Sequence, residues 1–301
     1  MASIIINYTT KAATGDREEK QVAKSGRKSL RLPKGFLADL ESVFEADASD
    51  DISAPDLRKL GQRLTKWSEN CRRQLNRELS KLPTDHPVNC SISLYGAMEM
   101  GRLEVAHTRT LAWLLDPNKR EHGFGHALLN AMLTRICGCG HLSSRDVCKV
   151  EAERVYRNSL TEDAGRTDIW IEGKPRGSNP WLLVIEAKID ASESDQQLDR
   201  YNAEIKKWQA THPRGEIRRV FLTTDGVEAK SGQDWTSATF AQLARVFWHA
   251  TRLNTAQPGY HFLRYYLAGV LQNILGLPVG CVAGQQNPYE LLAFLKKPLA
   301  T

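Results

Sequence analysis

The sequence predicts an α/β fold: a mixed β-sheet core in the order β-β-β-α-β, flanked by helices and preceded by a helical N-terminal region. Three observations carry this expectation. Residues 149–157 (KVEAERVYR) and 166–172 (RTDIWIE) alternate polar and apolar positions, the period of half-buried strands. Residues 181–189 (WLLVIEAKI) are almost continuously apolar, as suits a central strand, and a helical stretch separates them from a fourth strand at 217–224 (IRRVFLTT). Residues 56–82 instead place Leu57, Leu60, Leu64, Trp67, Cys71, Leu75, Leu79 and Leu82 at steps of three and four, one face of a helix.

Taken in order, residues 1–34 are polar, basic and aperiodic, an arm with no apolar pattern to fold on. Residues 36–45 (FLADLESVFE) read as a short amphipathic helix. The 56–82 helix has Ser53 as an N-cap, Pro55 at its first turn, and Pro83 and Pro87 to stop it. Its other face carries Arg58, Lys59, Arg63, Lys66, Arg72, Arg73, Arg77 and Lys81 among acids such as Glu69 and Glu78, the composition of a solvated face. Its apolar stripe is narrow enough to serve as a seam for a partner protein or a second copy of the chain. Residues 93–115 read as mainly helical, followed by a turn (NKREHGFG) and a helix at 126–136. After the first three strands, which form an antiparallel meander, residues 192–210 are a helix with Ser192 or Ser194 as cap and acids in its first turn. That helix makes the crossover to a parallel fourth strand. Helices near 240–251 and 260–275 complete the fold. The expected organisation is an arm at 1–34, a helical region at 35–88 and the main domain at 89–301.

Composition narrows the functional classes. The 301 residues carry 41 Lys and Arg against 35 Asp and Glu, a net charge of +6, which suits a nucleic-acid partner. No stretch approaches the ~20 apolar residues of a membrane span, and the N-terminus lacks a secretory pattern. Six scattered cysteines then read as free thiols of a reducing cytoplasm. Cys137, Cys139, His141 and Cys148 form a local cluster, but C-x-C-x-H is not a common structural-zinc spacing, and Gly138 and Gly140 look like a helix terminus. His122, Gly123, Gly125 and His126 precede a helix, yet have no Walker lysine and do not follow a strand.

The central strand holds the chemistry. Glu186 and Lys188 lie two residues apart, so both leave one face of a strand that should be buried, while Leu183, Ile185, Ala187 and Ile189 leave the other. Buried charge is costly unless it is paired or binds a metal. Asp168, among the apolar residues of the preceding strand, meets Glu186 if the two strands pair through the turn at 173–179. Two carboxylates at one site repel unless a proton or a cation lies between them, and a hard divalent ion, Mg²⁺ or Mn²⁺, is the simplest resolution. The competing reading is a buried Asp–Lys or Glu–Lys ion pair.

Asp168 with Glu186-Ala187-Lys188, in this strand context, resembles the signature of the PD-(D/E)XK nuclease superfamily, with Thr167 where the name has Pro. Gln197-Leu198-Asp199-Arg200-Tyr201 resembles the Q-x-x-x-Y helix of RecB-like members. Glu104-x-x-His107, then Leu111 to Pro117 (LAWLLDP) and His122-Gly123, resemble the opening of a large, mostly uncharacterised bacterial branch. The resemblance spans about residues 89–275 and implies a restriction-endonuclease-like fold and a metal-dependent nuclease. It assigns the metal to Asp168, Glu186 and the Ala187 carbonyl, with Glu104 reaching it directly or through water, and His107 as a further ligand. Lys188 would orient the attacking water and offset phosphate charge, and Gln197 and Tyr201 would line the site. Arg166 would meet phosphate or stay an exposed strand-end residue. DNA is the favoured substrate, RNA or a non-cleaving role within a larger complex the alternatives, and bacterial or phage antiviral defence the setting the family suggests.

Overall fold

The computed structural model describes residues 54–140, 146–157, 164–174, 179–190, 197–231, 234–280 and 288–297. The expected arm at 1–34, the helix at 36–45, the cap residues Ser192 and Ser194, His141 and Cys281 lie outside them. The chain divides into two compact units, Met1–Lys66 and Trp67–Thr301.

The helix expected over 56–82 is present as α1 (Ala54–Leu79), 26 residues long, followed by a turn that leads into Pro83. In its C-terminal part the stripe packs as the spacing implied: Leu75 is fully buried and Cys71 nearly so. The Trp67 ring lies 5.6 Å from that of Tyr289, and Lys296 donates to Gln74 at 2.6 Å. The stretch 93–115, expected to be mainly helical, holds two helices with a break between them. The short α2 (Leu94–Ala97), capped by the Ser93 hydroxyl, is followed by Glu99 in the left-handed region (φ 56°), and the next long helix starts afresh as α3 (Glu104–Leu115). Gly101 in the break sits where a Cβ would come within 2.8 Å of Asn273, so the chain here needs a glycine's close approach. Helix α4 (Ala127–Arg135) ends at Gly138 (φ 66°), as the Cys-Gly-Cys-Gly run suggested.

The sheet has five strands in sequential order: β1 (Val147–Arg157), β2 (Ala164–Lys174), β3 (Trp181–Ala187), β4 (Glu216–Thr223) and β5 (Thr236–Thr239). The first three form the antiparallel meander, and β4 runs parallel to β3 after the crossover helix α5 (Gln197–Thr211). The four-residue β5, parallel to β4, was not expected; TSAT is too short and too polar to carry an alternation signal. Helix α6 (Phe240–Thr251) follows at once through a reciprocal cap between Thr239 and Gln242. The helix expected over 260–275 is α7 (Tyr260–Gly269) running into a π-turn, Val270–Ile274. A last helix, α8 (Pro288–Lys296), was also unexpected.

Strand alternation sorts two cores onto the two faces of the sheet. Ile169, Ile171, Leu183, Ile185, Val220 and Leu222 pack under α3, α4, α6 and α7, and Trp170, Leu182, Val184 and Phe221 pack under Leu198, Tyr201, Ile205 and Trp208 of α5. Each fully buried aliphatic or aromatic side chain contributes about 1.5–3 kcal/mol. The apolar face of α5 is thereby fixed against the strands that carry Asp168 and Glu186. Among the described residues, no helix is long and apolar enough to cross a membrane.

Candidate active site

The site lies where β2 and β3 part. Their last paired residues are Ile169 and Ile185, and one further step of the same register sets Asp168 opposite Glu186. Beyond that point β3 keeps its pairing with β4, because Lys188 N–H donates to the Leu222 carbonyl at 2.8 Å. The Ala187 N–H therefore points to the β2 side, where it donates to Asp168 Oδ2 at 2.9 Å. In a strand the carbonyl of a residue shares the edge of its N–H, so the Ala187 carbonyl faces the Asp168 side as well.

Glu186 is completely buried. Its Oε1 lies 2.6 Å from Lys188 Nζ and accepts from Gln197 Nε2 at 2.7 Å, while its Oε2 is buried with no hydrogen-bond partner. Lys188 also reaches Glu104 Oε1 at 3.1 Å, and Glu104 Oε2 accepts the Ile189 N–H at 3.3 Å. Glu104 opens α3, so the helix start delivers this carboxylate to the end of β3. Tyr201, four residues after Gln197 on α5, receives a hydrogen bond from Gln197 Nε2 at 3.2 Å and donates its own proton to the Arg166 carbonyl at 2.6 Å. The ring of Tyr201 is core, packed edge-on to Tyr156. The Gln and Tyr of the helix thus act together as a buried brace for Glu186.

Three carboxylates share one ammonium here. Burial first, then the charge of Glu186, raises the Asp168 carboxyl from 3.8 to about 8, against the lowering pull of the Ala187 N–H and of Lys188. Burial also raises Glu186, opposed by the charge and hydrogen bond of Lys188. For Lys188 burial works against the ammonium, but Glu186, Glu104 and Asp168 outweigh it and the amine is held above its ordinary value. Burial, then the charges of Glu186 and Asp168, pushes the Tyr201 phenol up, so it stays a donor. Without a cation, the buried carboxyls of Asp168 and Glu186 share a proton beside the Lys188 ammonium, and that proton is the donor that Glu186 Oε2 otherwise lacks.

That orphaned oxygen is the test of whether a cation fits. Asp168 and Glu186 offer hard oxygen donors at a place short of positive charge, the chemistry that Mg²⁺ and Mn²⁺ prefer. Among the described residues, no three His, Cys, Asp or Glu side chains are gathered as a metal-binding group. Magnesium is commonly held by one or two carboxylates while keeping several waters, so a two-carboxylate set suffices.

Of the expected site residues, Asp168, Glu186, Ala187, Lys188, Glu104, Gln197 and Tyr201 come together. His107 does not join them. Its ring lies among Tyr95, Tyr266 and Phe240, and its Nε2 faces the Gly101 carbonyl at 3.0 Å. Burial lowers its pKa. It shares a helix with Glu104, but it faces the aromatic cluster rather than the carboxylates. His122 and His126 hydrogen-bond to the backbone carbonyls of Asp116 and Asp146, a structural use. Cys139 Sγ accepts from Arg218 Nε at 2.8 Å, and burial raises the Cys137 and Cys148 thiols to about 12.

Sequence reasoning missed Glu153. It stands opposite Asp168 in the β1–β2 register, between the pairs Ala152–Ile169 and Arg154–Thr167, and has φ of 54°. It accepts from Thr108 of α3 at 3.0 Å and pairs with Arg166 at 2.8 Å. In the sequence it shares the parity of Glu151, so alternation alone assigns both to one face; no residue-level signal announces the left-handed turn.

A mixed sheet whose central strands end in Asp, Glu and Lys, with a helix-borne Glu on one side and a Gln–Tyr brace on the other, defines a nuclease-type α/β protein. A family model described as the PD-(D/E)XK nuclease superfamily matches residues 93–268, more than half of the chain, and the chain belongs to that superfamily. No curated protein and no solved structure matches the chain significantly.

Proposed function

We infer that this protein is a Mg²⁺- or Mn²⁺-dependent nuclease that hydrolyses phosphodiester bonds in DNA. The observation that carries the reading is the buried Oε2 of Glu186, orphaned beside Asp168 and Lys188 in a site with more carboxylates than cations. Asp168, Glu186 and the Ala187 carbonyl would hold the ion. When bound, it supplies a lowered pKa for water and polarises the phosphoryl oxygens. Lys188 keeps its proton, so its role is to hold the attacking water and offset phosphate charge, not to act as a base. Glu104 steadies Lys188 and the backbone at Ile189. Gln197 and Tyr201 orient Glu186.

The net charge of +6 supports a polyanionic substrate bound mainly through phosphates. RNA is the alternative polymer, and a binding subunit without cleavage the alternative role; the complete Asp168, Glu186 and Lys188 set supports cleavage. The five described cysteines are free thiols, in keeping with action in the cytoplasm, where defence against phage is the role we favour. From Trp67 onward the stripe of α1 packs against the chain itself, so the contact we propose for a partner or a second copy is the part of α1 before Trp67. Incubation of the purified chain with single-stranded DNA, duplex DNA and RNA, each under Mg²⁺, Mn²⁺ and EDTA, tests the reading. Metal-dependent cleavage of DNA supports it, cleavage of RNA alone reassigns the substrate, and binding without cleavage of any polymer makes the chain a binder.

A further inference from the structure

Glu153 is one of two non-glycine residues with positive φ among the described residues, and it occupies the lapse in the β1–β2 ladder beside Asp168, between the pairs Ala152–Ile169 and Arg154–Thr167. Left-handed backbone is costly for a residue with a Cβ, and such strain gathers at functional positions. The side chain this conformation delivers is 9% exposed and held at both oxygens, one by Thr108 and the other by Arg166 Nε. Thr108 follows Glu104 by four residues, so the face of α3 that brings Glu104 to Lys188 also brings Thr108 to Glu153. The Arg166 side chain is 55% exposed, and its backbone is pinned by Tyr201 through its carbonyl. A half-exposed ion pair adds little stability, less than the left-handed backbone costs, so stability alone does not explain the arrangement. What it achieves is a guanidinium gripped at Nε, two residues from Asp168, with its terminal nitrogens as the fork that can meet an anion.

We propose that Arg166 binds a phosphate of the substrate beside the scissile one, and that Glu153 is the positioning residue that aims it. This rests on the nuclease reading and adds to it a residue that the signature does not contain. Glu153 holds the guanidinium as Thr108 holds Glu153, and the result is a bidentate edge fixed at the flank of the metal-binding carboxylates.

The test compares the full-length wild type with Arg166→Gln, Glu153→Gly and the double variant Glu153→Gln/Arg166→Gln. Arg166→Gln alone leaves Glu153 buried without its cation and can fail to fold; the double variant removes both charges, and glycine accepts the backbone at 153. Binding of a fluorescein-labelled DNA duplex is followed in EDTA across a salt series, and cleavage of the same duplex in Mn²⁺. Loss of Arg166, alone or in the double variant, is expected to raise KM about tenfold with little change in kcat and to flatten the salt dependence by about one phosphate contact. Glu153→Gly keeps the arginine's charge, so KM rises while the salt slope stays. A structural ion pair would instead shift only the melting temperature. Unchanged KM and salt slope in the double variant, with a wild type that cleaves, overturn this proposal and leave the nuclease reading standing. A wild type that neither binds nor cleaves overturns both.

Discussion

Asp168 and Glu186 stand opposite each other one residue beyond the last paired step of β2 and β3, and the backbone N–H of Ala187 serves Asp168 rather than the sheet. The strand end is thus exchanged for a carboxylate site: where the ladder would continue, a side chain takes the hydrogen bond. The pair is buried, so its charge state is set by what lies between the two groups.

The first consequence is a pH dependence of the metal-free fold. The Asp168 carboxyl is raised from 3.8 to about 8 by burial and by Glu186. The folded state then holds a proton that the unfolded state has lost, so this group's contribution is full below pH 3.8 and declines as pH rises towards about 8. In EDTA the melting temperature should fall over that window, and saturating Mn²⁺ should remove most of the fall at its upper end, because the cation replaces the proton. A melting temperature in EDTA that rises steadily from pH 5 to 8 would show that Asp168 is ionised in the metal-free protein.

Glu186→Gln removes one of the crowded charges and offers an N–H in place of a carboxylate oxygen. The metal-free variant should melt at or above the wild type, since Lys188 keeps Glu104 as a partner. Mn²⁺ should stabilise the wild type and have little effect on the variant. Thermal melts with and without Mn²⁺ measure both; an equal Mn²⁺ shift in the two proteins would place the ion elsewhere.

Lys188→Ala should behave in the opposite way. It strips the cation from a fully buried Glu186, and breaking a buried pair costs about 3–5 kcal/mol. The metal-free variant should melt well below the wild type, and Mn²⁺ should recover a large part of the loss by supplying positive charge to the same carboxylates. Denaturant titrations in EDTA and in Mn²⁺ would show this as two midpoints for the variant that lie further apart than those of the wild type.

Tyr201→Phe tests the brace. It keeps the ring in the core and removes the hydroxyl between Gln197 and the Arg166 carbonyl. Stability should drop by about 1–2 kcal/mol, and cleavage should fall while metal-induced stabilisation remains, because Glu186 loses orientation but not charge. A variant with wild-type cleavage would reduce Tyr201 to a core residue.

Local pattern revealed what depends on local pattern. Alternation and the apolar run located β1 to β4, the meander and the crossover, and two-residue spacing put Glu186 and Lys188 on one face. What the sequence did not reveal depends on contacts distant in the chain or on a single backbone torsion. Thr236–Thr239 becomes a strand only because β4 offers an edge. Residues 93–115 read as mainly helical, yet Glu99 turns left-handed and Gly101 closes on Asn273, which lies far along the chain. His107 shares helical spacing with Glu104, but packing against Tyr95 and Tyr266 decides where its ring goes. Glu153 is invisible for the same reason: its positive φ is one backbone torsion, and its partners Thr108 and Arg166 lie far from it in the chain.

The most direct test of the account is single-turnover cleavage of DNA in Mn²⁺ by wild type, Glu186→Gln and Lys188→Ala, purified identically and compared at equal folded concentration. The wild type should cleave, EDTA should abolish the cleavage, and each variant should be slower by more than about a hundredfold, since one loses a metal ligand and the other the charge that meets water and phosphate. Cleavage by Glu186→Gln at the wild-type rate would contradict the account, because the hydrolysis would then arise somewhere other than this site.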